Sequence, residues 1–228
     1  MATHQEIAGV SDEDLVKRML SSHADRFDEQ FWAYFAEQVA PALPEQPVLT
    51  DLGCGPGLLL RDLSERYPTA TMSGFDITPA MIEHAQSQVT YAGKMPQYEV
   101  RDIAADGIPL QSGSVHLTTM VAVLHVLANP FTMLAEIRRI LAPDGIFLLQ
   151  DWIRTPMPQY LDRMIDPALP EEEKARMLPG MLRLFPAHNK YTTEDWLWVL
   201  DKSGFTVVDH RQLRSPHFSA FVCRPAQV

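Results

Sequence analysis

Hydrophobic residues fall at helical spacing in the first part of this 228-residue chain. Ser11, followed three residues later by Asp14, is a typical helix start, and we predict a helix over 14–21. A second helix is predicted over 28–39, where the apolar residues share one face: Phe31, Trp32, Phe35 and Val39. Prolines 41, 44 and 47 then predict a connector rather than a continued helix.

From residue 48 the pattern changes to short apolar runs that alternate with amphipathic segments. The runs predict strands over 48–52, 71–75, 98–101, 115–123, 146–149, 205–208 and 218–223. The segments between them predict helices over 58–66, 79–88, 130–141 and 193–203. Strands that alternate with helices are typical of βαβ units. The predicted fold class is therefore α/β, doubly wound around a mostly parallel sheet.

Residues 153–190 interrupt this alternation. The segment contains six prolines and four methionines and predicts an insertion of short helices. Flexible methionine side chains and a break in regular structure are typical of a segment that can repack around a ligand. We predict a lid over the substrate, with a static cap as the alternative.

The charge balance limits the classes of partner. A formal net charge of −10 argues against nucleic acid and anionic membrane, because both require a basic surface. Residues 107–135 contain no Asp, Glu, Lys or Arg, but only 115–127 is mainly apolar, which is too short to span a membrane. The two cysteines, Cys54 and Cys223, predict reduced thiols and a cytoplasmic protein.

The most specific motif is Asp51-Leu-Gly53-Cys-Gly55-Pro-Gly57, between a predicted strand and a predicted helix. Glycines let the backbone turn sharply and approach a ligand, and the helix N-terminus after them offers free N–H groups. Glycines at 53, 55 and 57 depart from the dinucleotide fingerprint, whose third glycine position is occupied by Leu58. Asp76 and Asp102 follow the next two strands, at the edge where such sheets bind ligands.

With these features, residues 47–150 resemble the class I S-adenosylmethionine-dependent methyltransferases. The resemblance implies that the glycine loop supports the methionine part of the cofactor and that Asp76 accepts hydrogen bonds from the ribose hydroxyls. It implies that Asp102 and Ile103 contact the adenine. The cofactor residues that it implies are Asp51, Gly53, Gly55, Gly57, Asp76, Ile77, Met81, Asp102, Ile103 and Val121.

The resemblance also implies the architecture. It predicts a Rossmann-like methyltransferase fold with seven strands, the last of them antiparallel. We expect one domain with four parts: an N-terminal helical cap (1–46), a cofactor-binding core (47–152), a lid for the substrate (153–190) and a C-terminal helix with two strands (191–228).

Three residues are candidates for catalysis. A sulfonium methyl group is already activated, so holding the acceptor in line supplies much of the catalysis, and a base is needed only for a protonated acceptor. His125 follows the fourth strand, Asp151 follows the fifth, and Tyr191 lies where the insertion rejoins the core. We expect no metal, because His125 replaces the acidic residue that a catechol-type site would use.

We therefore expect methyl transfer from S-adenosylmethionine to a small molecule, with no nucleic-acid or membrane partner and a homodimer as one option. Two alternatives stay open. One is a methyltransferase of proteins or nucleic acids, for which Asn129-Pro130-Phe131 is an incomplete motif. The other is an enzyme that cyclises or cleaves the aminobutyrate arm of the same cofactor without moving its methyl group.

Overall fold

A seven-stranded sheet is the centre of the computed structural model, which describes residues 9–213 and 216–227. The strands are β1 (Val48–Leu52), β2 (Thr71–Asp76), β3 (Gln97–Val100), β4 (Val115–Val121), β5 (Leu141–Trp152), β6 (Phe205–Gln212) and β7 (Phe218–Pro225). Their order is β3-β2-β1-β4-β5-β7-β6. Strands β1 to β5 are parallel, and β7 pairs antiparallel with both β5 and β6. The predicted fold class is confirmed.

Helices cover both faces of the sheet. They are α1 (Asp12–Ser21), α2 (His23–Arg26), α3 (Glu29–Gln38), α4 (Leu58–Arg66), α5 (Pro79–Ser87), α6 (Ile103–Asp106), α7 (Pro130–Ile140), α8 (Met157–Met164), α9 (Glu171–His188) and α10 (Thr193–Lys202). Short 3-10 turns occupy Ala40–Ala42 and Leu124–Val126. Among the described residues, no helix is both long and apolar enough to cross a membrane.

Two apolar cores lie on opposite faces of the sheet because successive strand residues point to opposite sides. On one face, Phe147 and Leu149 pack with residues of α7 and α10, among them Leu134 and Trp196. On the other face, Leu148 belongs to the cluster that joins the sheet to α3 and α4. Successive strands are added on one side of β1 up to β3 and on its other side from β4 onwards, and this switch point leaves a crevice at the carboxyl ends of the strands.

A third apolar cluster connects the insertion to the sheet. It contains Trp152 at the end of β5, Phe218 at the start of β7, Tyr160 of α8, and Met181 and Leu184 of α9. The insertion is therefore anchored to the same edge of the sheet where the parallel strands end.

Among the differences between the structure and the predicted elements, two concern β5 and the insertion. Residues 141–145, predicted as a helix end and a turn, belong to β5: Leu141 pairs with Val115, and the next pair is Leu117 with Ile146. This shift in the register of the ladder depends on a partner strand that is distant in sequence. The insertion contains an 18-residue helix, α9, instead of only short helices, although Pro179 and Pro186 lie inside it.

Candidate active site

A cavity of about 380 Å³ opens at the carboxyl ends of the parallel strands. One side, the sheet wall, is formed by the ends of β1, β2, β4 and β5 with the loops that follow them. The other side, the helical wall, is formed by residues of α1, α2 and α8 with the turns beside them: Leu15, Arg18, Met19, Ser22, His23, Asp25, Arg26, Phe27, Arg163 and Met164. The cavity therefore occupies the crevice where such sheets bind ligands, between the strand ends and the two segments predicted as the cap and the lid.

The three loop glycines have different surroundings although all have positive φ, at 75°, 52° and 79°. A Cβ at Gly53 would collide with Val123, and a Cβ at Gly57 would lie 2.5 Å from the Tyr91 hydroxyl oxygen. A Cβ at Gly55 would meet nothing within 4 Å, because this residue faces the cavity. Gly53 and Gly57 thus allow close packing of the protein, whereas Gly55 leaves room for a ligand.

Asp76 connects the glycine loop to the end of β2. Its Oδ2 accepts a hydrogen bond from the Gly55 N–H at 2.9 Å, and its Oδ1 accepts one from the Thr78 N–H at 2.9 Å. Burial raises the pKa of Asp76, and the two backbone donors oppose that shift. Each carboxylate oxygen has a further lone pair, so Asp76 can also accept from a ligand hydroxyl.

Asp51 is buried at the end of β1, where its Oδ1 accepts a hydrogen bond from the Thr119 hydroxyl at 2.6 Å. Burial raises its pKa to about 7, although the bond from Thr119 lowers it and the nearby charge of Asp76 raises it. Asp51 also lines the cavity, so a cationic ligand group beside it would favour the ionised carboxylate.

Most of the residues that the resemblance implied for the cofactor line this cavity. Asp102 caps α6 by accepting from the backbone N–H groups of Ala104 and Ala105, both at 3.1 Å. The neighbouring Ile103 is buried, whereas Ile77 is exposed at the cavity mouth. The cavity-lining members of the implied set are Asp51, Gly53, Gly55, Asp76, Ile77, Met81, Asp102, Ile103 and Val121. Gly57 lies behind the loop, against the tyrosines.

The predicted catalytic residues His125 and Asp151 form a buried pair. The Nδ1 atom of His125 lies 2.6 Å from Oδ1 of Asp151, and Oδ2 of Asp151 accepts from the His125 backbone N–H at 3.0 Å. Both side chains are almost fully buried, and neither lines the cavity. Tyr191 packs on Trp196 with a centroid distance of 4.3 Å and is also away from the cavity.

Two aromatic rings separate the His125 pair from the cavity. His188 stacks on Trp152 with a centroid distance of 3.9 Å and an interplanar angle of 5°, and both line the cavity. The His188 Nδ1 atom lies 2.9 Å from the Tyr160 hydroxyl oxygen. The His125 and His188 rings are 5.4 Å apart. His188 is thus the histidine of this group that reaches the cavity.

Three of the residues that sequence reasoning missed are arginines on the helical wall. Arg18, Arg26 and Arg163 line the cavity from three different helices. The sequence indicates their role only weakly, since an arginine on an amphipathic helix is usually solvated. Only tertiary packing brings these three arginines to one cavity. Ala122 was missed as well: it lines the cavity with a φ of 56°, a strained conformation for a residue with a side chain.

Comparisons with known proteins agree with this geometry. The family described as a methyltransferase domain matches residues 50–149. A malonyl-[acyl-carrier protein] O-methyltransferase of Geobacter sulfurreducens is 32% identical over 113 residues, which cover 50% of this chain and 39% of that protein. A trans-aconitate 2-methyltransferase of Methylobacterium radiotolerans is 32% identical over 126 residues, covering 55% of this chain and 46% of that protein. The chain thus spans less than half the length of these relatives.

Solved structures show the same fold along almost the whole chain. An S-adenosylmethionine-dependent methyltransferase from Aquifex aeolicus has a TM-score of 0.65 at 18% identity, covering 94% of this chain and 99% of that one. One from Mesorhizobium loti has a TM-score of 0.61 at 19% identity, covering 86% of this chain and 97% of that one. Residues 50–149 of this chain are therefore similar to a methyltransferase domain, and the fold is that of the S-adenosylmethionine-dependent methyltransferases. The cofactor of such a domain is S-adenosylmethionine.

The residues of this methyltransferase domain fit that cofactor. The open space at Gly55 leaves room for a ligand against the loop backbone. Asp76 and Asp102 present carboxylates to the cavity from the ends of two consecutive strands, which suits the ribose hydroxyls and the adenine amine. Ile77, Met81 and Ile103 supply the apolar surface that a purine ring needs. The charged, polar and apolar groups are therefore of the right kinds to hold the cofactor.

Proposed function

We propose that this protein transfers the methyl group of S-adenosylmethionine to a small-molecule acceptor. The observation that carries the proposal is the single cavity shared by Gly55 and Asp76 on the sheet wall and by Trp152 and His188 farther along the strand edge. A cofactor held on the first pair leaves the space beside the second pair for an acceptor. When bound, the cofactor supplies a methyl group on a positively charged sulfur.

The size and the enclosure of the site support a small acceptor. A volume of about 380 Å³ is within the range for small-molecule sites, roughly 300–1,000 Å³. Helices α1, α2 and α8 border the cavity, whereas a protein or nucleic-acid strand would need an open groove. The acidic net charge of −10 also disfavours nucleic acid. The relatives named for malonyl-[acyl-carrier protein] and trans-aconitate suggest acceptors that carry carboxyl groups.

Within this proposal, the side chains mainly bind, orient and exclude water. The cofactor residues are those that the resemblance implied, with Gly55 and Asp76 as the central contacts. Trp152 and His188 present a flat stacked surface that can position an acceptor. His188 can hold a proton at its ring nitrogens, and the Tyr160 hydroxyl beside Nδ1 fixes the ring orientation. His125 and Asp151 hold the backbone behind Trp152 and act as positioning residues.

The test is a methyl-transfer assay with a matched pair of glycine variants. We expect wild-type protein to convert S-adenosylmethionine to S-adenosylhomocysteine in the presence of an acceptor from a panel of small carboxylic acids and their thioesters, with the methylated product identified by mass. Gly55→Ala places a methyl group in the space at the loop, so it should weaken cofactor binding and abolish turnover.

Gly113→Ala is the matched control. Gly113 also has a positive φ, 69°, and open space at its Cβ, but it lies before β4, at the opposite edge of the sheet. The two variants carry similar backbone strain, on the order of 1–2 kcal/mol. Only Gly55→Ala should lose binding. Equal binding by both variants would contradict the cofactor site, and methylthioadenosine as the product in place of S-adenosylhomocysteine would point to cleavage without methyl transfer.

A further inference from the structure

The helical wall concentrates positive charge that the protein itself leaves largely unpaired. Arg18 of α1 and Arg26 of α2 both line the cavity. Among the described residues neither guanidinium forms an ion pair, whereas Arg163 of α8 contacts Asp25 at 3.2 Å. The acidic groups across the cavity are engaged elsewhere: Asp76 by two backbone donors and Asp51 by Thr119.

Of the two arginines, Arg26 gives the stronger indication of an anionic ligand. Its Nε atom is buried and has no hydrogen-bond partner among the described residues. Burial lowers the pKa of Arg26 to about 10, and the nearby charge of Arg18 acts in the same direction, while Asp25 opposes it. The side chain still stays cationic at neutral pH. A buried guanidinium nitrogen without a partner is unfavourable, and it is accounted for if a ligand supplies the acceptor and the counter-charge.

We propose that Arg18 and Arg26 form a carboxylate-binding site on the helical wall of the cavity. The proposal rests on the proposed function, since it concerns the ligands of the same cavity. Guanidinium groups match the geometry of carboxylates and can bind them with two parallel hydrogen bonds. Two sources of a carboxylate can reach this cavity: the methionine arm of the cofactor, and the acceptor.

The first arm of the test distinguishes ligands that carry the cofactor's carboxylate from those that lack it. Calorimetry compares S-adenosylhomocysteine, its decarboxylated analogue and methylthioadenosine on wild type, Arg18→Gln and Arg26→Gln. If the cofactor supplies the carboxylate, the variants lose roughly 10- to 100-fold in affinity for S-adenosylhomocysteine. Their affinity for methylthioadenosine stays unchanged, which also shows that the variants are folded.

The second arm addresses the acceptor. Trans-aconitate and malonate are titrated into protein saturated with S-adenosylhomocysteine. If the acceptor supplies the carboxylate, the variants bind S-adenosylhomocysteine normally. Their affinity for trans-aconitate or malonate falls by at least roughly 10-fold, the effect of losing a charge-assisted hydrogen bond. Arg176→Gln is the control, because Arg176 pairs with Glu172 on the exposed face of α9, away from the cavity.

The proposal is overturned if both arginine variants bind S-adenosylhomocysteine as wild type does and no carboxylate binding depends on either arginine. A different result would contradict the proposed function. If the wild-type protein binds neither S-adenosylhomocysteine nor methylthioadenosine, the cavity is not a cofactor site. The two failures are therefore distinguishable in the same set of titrations.

Discussion

Asp76 has a structural role and a proposed binding role in one carboxylate. It accepts from Gly55 on the glycine loop and from Thr78 at the start of α5, so it fixes the loop against the end of β2. The same carboxylate lines the cavity where the ribose is expected. A change at this residue is thus expected to alter both loop stability and cofactor affinity.

We predict that Asp76→Ala weakens the binding of S-adenosylhomocysteine by about 1.5–3 kcal/mol, the usual value of hydrogen bonds to a charged group. The free energy of unfolding should also fall, by about 1–3 kcal/mol, because two backbone donors lose their acceptor. Calorimetry and denaturant unfolding measure the two effects.

The control for this prediction is Asp106→Ala, which removes an exposed carboxylate at the end of α6 that does not line the cavity. It should change neither quantity by more than about 0.5 kcal/mol. Normal affinity in Asp76→Ala would show that the ribose is not bound there.

Asp51 gives a prediction about pH. Its folded-state pKa of about 7 is above the ordinary value, so the folded protein retains a proton that the unfolded chain has already lost. The wild type should therefore lose stability as pH rises from about 4 to about 7, relative to Asp51→Asn, which cannot ionise. The expected relative loss is on the order of 4 kcal/mol, measured by denaturant unfolding at several pH values. Parallel pH profiles of the two proteins would contradict a raised pKa.

At the scale of elements, the sequence predicts well those units whose signals are local. Helix α4 begins at Leu58 and ends at Arg66 as predicted, since the glycine loop before it and Pro68 after it mark both ends. Signals that depend on distant partners are invisible in the sequence. Leu141 belongs to β5 because it pairs with Val115 of β4.

In the candidate site, too, some features could be predicted from local sequence and others depend on distant parts of the chain. The carboxylates at strand ends could be located from the sequence because parallel strands bring their carboxyl ends to one edge. The contact between His125 and Asp151 could be found only from the structure, because it depends on β4 and β5 being neighbours in the sheet. The arginines of the helical wall could not be assigned, since helix packing alone brings residues 18, 26 and 163 to one cavity.

The insertion has an anchored part and an exposed part. Tyr160, Met181 and Leu184 are buried in the cluster around Trp152, whereas most residues between 166 and 180 are exposed. Segments with few buried contacts are the ones that open locally. Arg163 and Met164 lie just before this exposed stretch and line the cavity.

We predict that residues 166–180 exchange their amide hydrogens faster than residues 181–190 in the free protein. They should become protected when S-adenosylhomocysteine and the acceptor found in the transfer assay are both present, because closure of a lid excludes water from the reaction. Amides of β1 serve as the reference, since they should stay protected throughout. Strong and equal protection of 166–180 in both states would show a static cap.

At the scale of the whole molecule, net charge and local charge have opposite signs. The chain carries a formal charge of −10, yet the helical wall presents Arg18, Arg26 and Arg163 to the cavity. Overall charge governs long-range attraction, whereas recognition depends on the groups that face the ligand. An acidic net charge can thus disfavour nucleic acid as a partner while a cavity of the same protein binds a small anion.

Ligand binding should stabilise the whole fold because the cavity joins the N-terminal helices, the sheet and the insertion. A ligand that binds only the folded state at 100 times its Kd adds about 2.7 kcal/mol to the free energy of unfolding. For a domain of this length, that corresponds to a rise in Tm of roughly 5–10 °C. We predict such a shift with S-adenosylhomocysteine and none with NAD at the same concentration, because Leu58 takes the place of the third glycine of the dinucleotide fingerprint. In Asp76→Ala, the same concentration of S-adenosylhomocysteine should give a smaller shift, since the ribose contact is lost. A larger shift with NAD than with S-adenosylhomocysteine would mean that the glycine spacing does not decide which cofactor this fold accepts.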